Sequence, residues 1–339
     1  MKRFFLGLIL WLWVWASAQV AQPDERYYLI GDLAGRKIQM DISRTGTELS
    51  GHYYYEDFGT PLWLQGKVEA KDETSDSLWL LEEYLQDESQ SQSSGRFELQ
   101  HVVPWYSEDP EARAHFLGRW YSPEGDREYE VKLEQAAEHS QLTIRFADSF
   151  DVSSTYPFFR YEPWQGLNPV FQEVFQQNVA FFHEGQSYLL EDHPPIGWGL
   201  YENVGIVYLS DKVVSILDDL WMFTGGAHGN TGFISYNYRQ INGMWQPFGL
   251  GDLFQENSDY LKALESYILA DLSKQEAAWV LDGSLNALTL EDLSVFSLKP
   301  SGLDFHFAPY FAGPYVQGIF TVTVPKEVLA PFLREDSPF

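Results

Sequence analysis

The alternation of apolar and polar residues in the first third of the chain predicts a series of short β-strands. Residues 37–42 (Lys-Ile-Gln-Met-Asp-Ile) have the two-residue period of a half-buried strand. Further strand patterns follow at residues 51–55, 61–68, 77–82, 96–99, 117–121 and 129–133. Strands at this short, even spacing predict an antiparallel β-meander, in the form of a small barrel or half-barrel, over residues 27–135.

A helical period joins the strand pattern in the rest of the chain. Asn168 and Pro169 predict a helix start, with Asn168 as the cap and Pro169 at the first helical position. The apolar face of this helix comprises Leu167, Val170, Phe171, Val174, Phe175 and Val179. A second helix is predicted after Ser258, with Leu261, Leu264, Ile268 and Leu272 on its buried side.

Between and after these helices the pattern again predicts strands. Residues 201–209 and 212–221 read as a strand pair, and residues 233–238 and 244–248 flank Asn242-Gly243, a strong hairpin signal. We therefore expect an α+β fold overall, in which residues 136–335 form a module with two main helices packed on an antiparallel sheet.

The N-terminal residues have the pattern of an export signal. Lys2 and Arg3 precede an apolar run over residues 4–15, and Ala16-Ser17-Ala18 fits a small-residue cleavage site. The pattern predicts a signal peptide over residues 1–18 and a secreted or periplasmic protein with no membrane span after cleavage. An uncleaved N-terminal anchor is the alternative.

Composition narrows the classes of partner. The formal net charge is −27, so a nucleic acid is not expected as a partner, because phosphate binding needs a basic face. The chain has no cysteine, which excludes disulfides and thiolate metal sites. The eight histidines show no paired ligand spacing, so neither a metal nor a cofactor is expected.

The main candidate for a catalytic residue lies in one glycine-rich segment, residues 223–230 (Phe-Thr-Gly-Gly-Ala-His-Gly-Asn). His228 could act as a general base, with Asp219, Asp252 or Thr224 as its candidate partner. The structural interpretation is that Gly225 and Gly226 allow a tight turn between two strands.

The order of the motifs resembles a family of extracytoplasmic domains. Residues 224–229 (Thr-Gly-Gly-Ala-His-Gly) precede residues 236–238 (Tyr-Asn-Tyr) and 250–254 (Leu-Gly-Asp-Leu-Phe), and Pro309-Tyr310 and Pro314-Tyr315 follow. This set resembles the lysozyme-binding extracytoplasmic domain of RsiV-type anti-sigma factors and the non-catalytic domain of PdaC-type peptidoglycan deacetylases. The deacetylase metal motif is not found in the sequence.

The resemblance implies a binding protein rather than an enzyme. It implies an exported, non-catalytic protein of the bacterial envelope that recognises lysozyme, another cationic protein or a cell-wall glycan. The expected binding residues are Gly225, Gly226, His228, Tyr236, Tyr238, Tyr310 and Tyr315. The alternative is a cell-wall polymer hydrolase or deacetylase that uses His228 with a nearby carboxylate.

Overall fold

A computed structural model describes residues 25–70, 77–85, 92–102, 115–146, 150–159, 161–189 and 197–338. The predicted signal peptide over residues 1–18 lies outside the described residues. In the part of the chain that is described, no helix is both long and apolar enough to span a membrane.

The first eight strands form an antiparallel barrel, which confirms the predicted meander. They are β1 (Glu25–Leu33), β2 (Arg36–Thr45), β3 (Glu48–Tyr55), β4 (Leu62–Ala70), β5 (Ser77–Tyr84), β6 (Gly95–Val102), β7 (His115–Tyr121) and β8 (Glu128–Phe146). Each strand pairs with the next, and pairing of β1 with β8 closes the barrel. The interior is apolar, with Trp79, Phe97 and Phe116 fully buried.

The second module continues the same sheet. Its strands are β9 (Phe150–Phe158), β10 (Trp198–Leu209), β11 (Val213–Phe223), β12 (Asn230–Ile241) and β13 (Met244–Pro247). β8 is 19 residues long; its first half pairs with β1 and its second half with β9. The predicted boundary between residues 135 and 136 therefore falls inside one continuous strand, and the division into two modules stays a prediction.

The helices and a separate small sheet complete the α+β fold. The helices are α1 (Asn168–Leu189), α2 (Tyr260–Lys274), α3 (Ala278–Leu281) and α4 (Lys326–Leu329), and the small antiparallel sheet contains β14 (Phe296–Lys299), β15 (Gly302–Phe307) and β16 (Phe320–Pro325). β9 and β10 run parallel, because α1 connects them as a crossover. The other pairs in both sheets are antiparallel among the described strands.

The structure confirms the hairpin and the second helix that the sequence predicts. Asn242 and Gly243 have φ values of 53° and 79°, which a two-residue hairpin turn requires. The predicted core positions Leu264, Ile268 and Leu272 of α2 are buried.

The predicted capping role of Asn168 is wrong. Asn168 already has helical backbone angles, with φ −53° and ψ −42°. Its amide side chain bonds both backbone groups of Phe159, accepting from the N–H at 2.8 Å and donating to the carbonyl at 2.8 Å. Asn168 thus ties the start of α1 to the end of β9, a tertiary contact that outweighs the local cap preference.

The second module packs helix α1 and the small sheet on opposite faces of its main sheet. Phe171 and Phe175 of α1 pack in the clusters on one face. On the other face, Ser215 donates to Asn237 at 2.7 Å and accepts from the Leu298 N–H of β14 at 2.8 Å. These bonds fix the small sheet against β11 and β12.

The barrel is joined to the second module by hydrogen bonds around Gln39. Its side chain donates to the Leu209 carbonyl at 2.7 Å and accepts from the Leu209 N–H at 3.1 Å. Tyr28 and Tyr54 also donate to Gln39, at 2.5 and 2.8 Å. Gln39 is only 1% exposed, so the strand predicted as half-buried is covered on both faces.

Candidate functional site

The glycine-rich segment is the loop that connects β11 to β12. Gly225 and Gly226 have φ values of 98° and 99°, in the region that favours glycine, and the space beside each is open. Gly229 is buried, and a Cβ atom there would lie 2.3 Å from the Trp221 ring. The glycines therefore let the loop turn and lie flat against Trp221.

This loop presents His228 to two tyrosines that come from the segment after β15. The rings of His228 and Tyr315 stack with centroids 3.8 Å apart, and the Tyr310 ring lies 6.4 Å from His228 and 5.5 Å from Tyr315. Tyr315 donates to the Gly229 carbonyl at 2.9 Å, which holds the loop against the ring stack. We call His228, Tyr310 and Tyr315 the aromatic platform.

The aromatic platform is accessible and has apolar neighbours along the chain. His228 is exposed, and Tyr310 is 51% exposed. Val316, which follows Tyr315 directly, is 89% exposed, and Ile319, four positions after Tyr315, is 50% exposed. Exposed aromatic and branched aliphatic side chains at one place are typical of an interaction surface.

The predicted acid–base partners of His228 do not bond to it among the described residues. His228 Nδ1 lies 2.8 Å from the Gly229 carbonyl, and Nε2 lies 3.4 Å from the Tyr310 hydroxyl. Asp252 instead accepts from the Gly249 N–H at 2.8 Å. Asp219 lies within β11, and Thr224 is an exposed loop residue.

The other two predicted binding residues, Tyr236 and Tyr238, lie away from the platform. Both are on the face of β12 that packs in the core beneath α1, where Tyr236 meets the Phe171 ring edge-on at 5.9 Å. Burial, and then the charge of Asp218, raises the pKa of Tyr236. The structure thus brings together three of the five aromatic candidates.

Two buried carboxyl groups, Glu202 and Asp218, were not singled out as a pair in the sequence. They lie on adjacent strands beneath α1 and are 1% and 0% exposed. Glu202 accepts from the Ser154 hydroxyl at 2.5 Å and from the Asn178 side-chain amide of α1. Neither carboxyl oxygen of Asp218 has a hydrogen-bond donor among the described residues.

The surroundings of Asp218 favour its neutral form. Burial first, and the charge of Glu202 second, raise the pKa of Asp218 to about 8. In the sequence, the burial of Asp218 is indicated by its position in β11, between Ile216 and Leu220 on the apolar face that packs against α1. Charge alone did not reveal that a second carboxyl group would lie next to it.

A concave cleft also lies between the barrel and the second module in the described part of the chain. Its outer part has a volume of about 780 Å³, and an adjoining inner part has about 310 Å³. Gly59, Pro61, Lys299 and Asp304 line both parts. Asp219 is exposed in the inner part, and the surrounding protein still raises its pKa through desolvation.

The described residues contain no group of three or more histidine and carboxylate side chains that could hold a metal ion. The Glu202–Asp218 pair provides two carboxylates.

Comparison with known proteins identifies the C-terminal part of the chain. Residues 251–327 match the family model DUF3298, which is described as a protein of unknown function. This part of the chain is similar to the DUF3298 family. It contains Tyr310 and Tyr315 of the platform, whereas His228 precedes the matched segment.

A curated relative is the peptidoglycan-N-acetylmuramic acid deacetylase PdaC of Bacillus subtilis (strain 168). It is 24% identical over 191 residues, which cover 55% of this chain and 40% of the relative. The chain thus matches less than half of the length of that relative. The predicted likeness to PdaC-type deacetylases is confirmed, and the likeness to RsiV-type anti-sigma factors stays a prediction.

Two solved structures of DUF3298 family proteins are also similar. One, from Pseudomonas aeruginosa PAO1, has 18% identity and a TM-score of 0.42, and the match covers 59% of this chain and 93% of that one. The other, from Bacteroides fragilis NCTC 9343, has 18% identity and a TM-score of 0.40, with 59% and 95% covered.

Proposed function

We propose that this chain is a non-catalytic binding protein of the bacterial cell envelope and that the aromatic platform is its binding surface. The observation that carries the proposal is the ring cluster of exposed His228 and Tyr310 with half-buried Tyr315. Exposed Val316 and Ile319 follow this cluster along the chain. Tyrosine is among the residues that dominate binding energy at interfaces, because it buries a large area with few rotatable bonds.

The ligand we propose is a cationic protein such as lysozyme. The formal net charge of −27 attracts a basic partner and increases the rate of encounter. The platform then provides the short-range contacts that charge alone cannot supply. A basic partner of this kind also agrees with the predicted likeness to RsiV-type sensor domains.

A titration calorimetry experiment with lysozyme tests this proposal. We expect binding at low ionic strength that weakens as salt rises, because screening shortens the range of the attraction. Tyr310→Ala should weaken binding by about tenfold or more, as expected for an interface hot spot. Tyr129→Ala, at a 40% exposed tyrosine of the barrel, is the matched control and should change little. Absence of binding at low ionic strength would refute the proposal.

A second candidate ligand is cell-wall glycan. It is favoured by the name of the curated relative, a peptidoglycan deacetylase, and by the stacking surface that exposed tyrosine and histidine rings offer to a sugar. Co-sedimentation with purified, insoluble peptidoglycan tests it. Retention of the protein that Tyr310→Ala abolishes would support this ligand, and recovery of all protein in the supernatant would exclude it.

An envelope location is part of the same proposal. It is supported by the predicted export signal over residues 1–18 and by the substrate named for the curated relative. Fractionation of cells that express the full chain checks it, since the protein should be recovered outside the cytoplasm.

The catalytic alternative keeps His228 as an acid or base. It is disfavoured because the ring nitrogens of His228 face a backbone carbonyl and a tyrosine hydroxyl. His228→Ala decides between the two: a hydrolase or deacetylase activity on cell-wall polymers that disappears in a folded variant would favour the enzyme. If the purified protein has no such activity, the catalytic alternative fails.

A further inference from the structure

The cleft between the barrel and the second module has three walls from distant parts of the sequence. The barrel contributes residues 56–61, the turn between β3 and β4. The main sheet contributes Tyr208. The small sheet and its turn contribute residues 299–301, Asp304, Thr323 and Pro325, and α4 contributes Lys326 and Glu327. At about 780 Å³, the outer part alone has the size of a small-molecule binding site.

The outer part of the cleft is acidic. Lys299 and Asp304 form an ion pair at 2.5 Å and so neutralise each other. Among the other described residues that line it, three carboxylates, Glu56, Asp57 and Glu327, are opposed by one cation, Lys326. Asp57 and Glu327 are exposed and have no ion-pair partner in the described part of the chain. A ligand with positive charge fits this surface.

Aromatic side chains line the same cleft. Phe58 is 56% exposed in the outer part, and Tyr208 is half-buried there. In the inner part, His52 packs against Trp63 with ring centroids 5.7 Å apart, and His306 packs against Phe233 at 5.8 Å. Flat rings that alternate with hydrogen-bonding groups suit a ligand with both an apolar face and many polar substituents.

Besides the exposed carboxyl group of Asp219, the inner part provides fixed hydrogen-bonding groups. Arg26 binds Asp41 through two bonds, at 2.8 and 2.6 Å, and donates to Asn203 at 2.7 Å. The charges of Arg26 and Asp41 cancel in this pair. The oxygens of Asp41 and Asn203 still have lone pairs that can accept further hydrogen bonds. Such positions can accept from hydroxyl groups of a ligand without a large electrostatic penalty.

We propose that this cleft binds an oligosaccharide that contains amino sugars with free, protonated amino groups. The ammonium groups pair with Asp57 and Glu327, the sugar faces stack on Phe58 and Tyr208, and the hydroxyls bond to the polar groups of the inner part. The cleft and the aromatic platform share no residue, so this inference stands independently of the proposed protein ligand.

Titration calorimetry with three probes tests the proposal on the intact chain. The probes are a tetramer of glucosamine, a tetramer of N-acetylglucosamine and tetralysine, at about pH 6, where primary amines of this kind are protonated. We expect one site for the glucosamine tetramer, and binding at least about tenfold weaker for the acetylated tetramer and for tetralysine. Equal affinity for the two sugars would overturn the charge recognition, and equal affinity for tetralysine would overturn the sugar recognition.

Matched variants locate the site. Asp57→Asn combined with Glu327→Gln should weaken binding of the glucosamine tetramer by about tenfold, because two exposed ion pairs are lost. Glu124→Gln combined with Glu291→Gln removes the same charge from exposed positions outside the cleft and should change affinity by less than about twofold. Phe58→Ala should also weaken binding.

The outcomes separate this inference from the proposed function. Equal weakening by the two double variants would show that only the general charge of the protein matters, and the cleft proposal would fall. Absence of any binding of the glucosamine tetramer would also overturn it. Neither result changes the lysozyme experiment, which depends on Tyr310.

Discussion

The buried carboxyl pair under α1 makes a quantitative prediction about the pH dependence of stability. Asp218 is fully buried, and its pKa is raised from 3.8 to about 8 by burial and by Glu202. Below about pH 4, both the folded and the unfolded chain hold this proton. Between about pH 4 and pH 8, the folded state retains a proton that the unfolded state has released.

The sign of the effect follows from that difference in bound protons. Stability falls as pH rises through this window, by about 1.4 kcal/mol for each pH unit, and levels off above about pH 8. At pH 7 the loss attributable to Asp218 is at most about 4 kcal/mol. Relaxation of the surroundings lowers this value, so we expect about 2–4 kcal/mol.

Asp218→Asn tests the prediction with almost no change of shape. The asparagine is neutral at every pH and its amide can donate to Glu202. The variant should be more stable than the parent by about 2–4 kcal/mol at pH 7, and the advantage should shrink toward zero near pH 4. Urea unfolding over that pH range, with linear extrapolation, measures it.

The neighbouring residue provides the control. Asp219→Asn removes a carboxylate one position further along β11, on the exposed face, and should shift stability much less. A difference between the parent and Asp218→Asn that stays constant from pH 4 to pH 8 would refute the reasoning. It would mean that Asp218 is ionised in the folded state throughout this range.

Three further predictions concern the barrel and its junction. Gly118→Ala should lower the free energy of unfolding by about 1–3 kcal/mol, because its Cβ would lie 1.8 Å from a backbone carbonyl oxygen of the paired strand. Gly232→Ala is the control, since the space around Gly232 is open and the variant should be tolerated. Thermal unfolding compares the two variants. Burial lowers the pKa of His139 to about 3. The stability that neutral His139 contributes is therefore full above about pH 6.5 and is lost as the pH falls through 3. His139→Gln should make the protein less sensitive to acid, which an acid titration followed by circular dichroism measures. Gln39→Leu should cost about 1–3 kcal/mol by leaving buried groups of Leu209 unpaired, and identical urea midpoints for variant and parent would contradict this.

Much of the fold could be predicted because its signals are local. The alternation in β2, the Asn242-Gly243 turn and the apolar face of α2 each specify an element within a few residues. The same pattern left a barrel and a half-barrel as alternatives. Pairing of β1 with β8 in the structure closes the barrel and removes the unpaired edges of the meander.

The candidate site could be predicted only in part. Residues 224–229, Tyr310 and Tyr315 were singled out in the sequence. The sequence did not show that Tyr310 and His228, which are 82 positions apart, come within hydrogen-bond range of each other. It assigned Tyr236 and Tyr238 to the same site, although alternation along β12 turns them into the core. Tyrosine is equally suited to a core and to a binding surface, so residue type alone could not separate these roles.

The sequence by itself determined the acidic charge, the strand and helix periods and the glycine turn, because each depends on residues that are close in the chain. Only the tertiary structure decided which groups meet. It placed His228 against a ring rather than a carboxylate, brought Asp218 next to Glu202 under α1, and opened a cleft between the barrel and the small sheet. These outcomes depend on which distant segments pack together, and the desolvation that shifts the pKa of Asp218 arises only when that packing is complete.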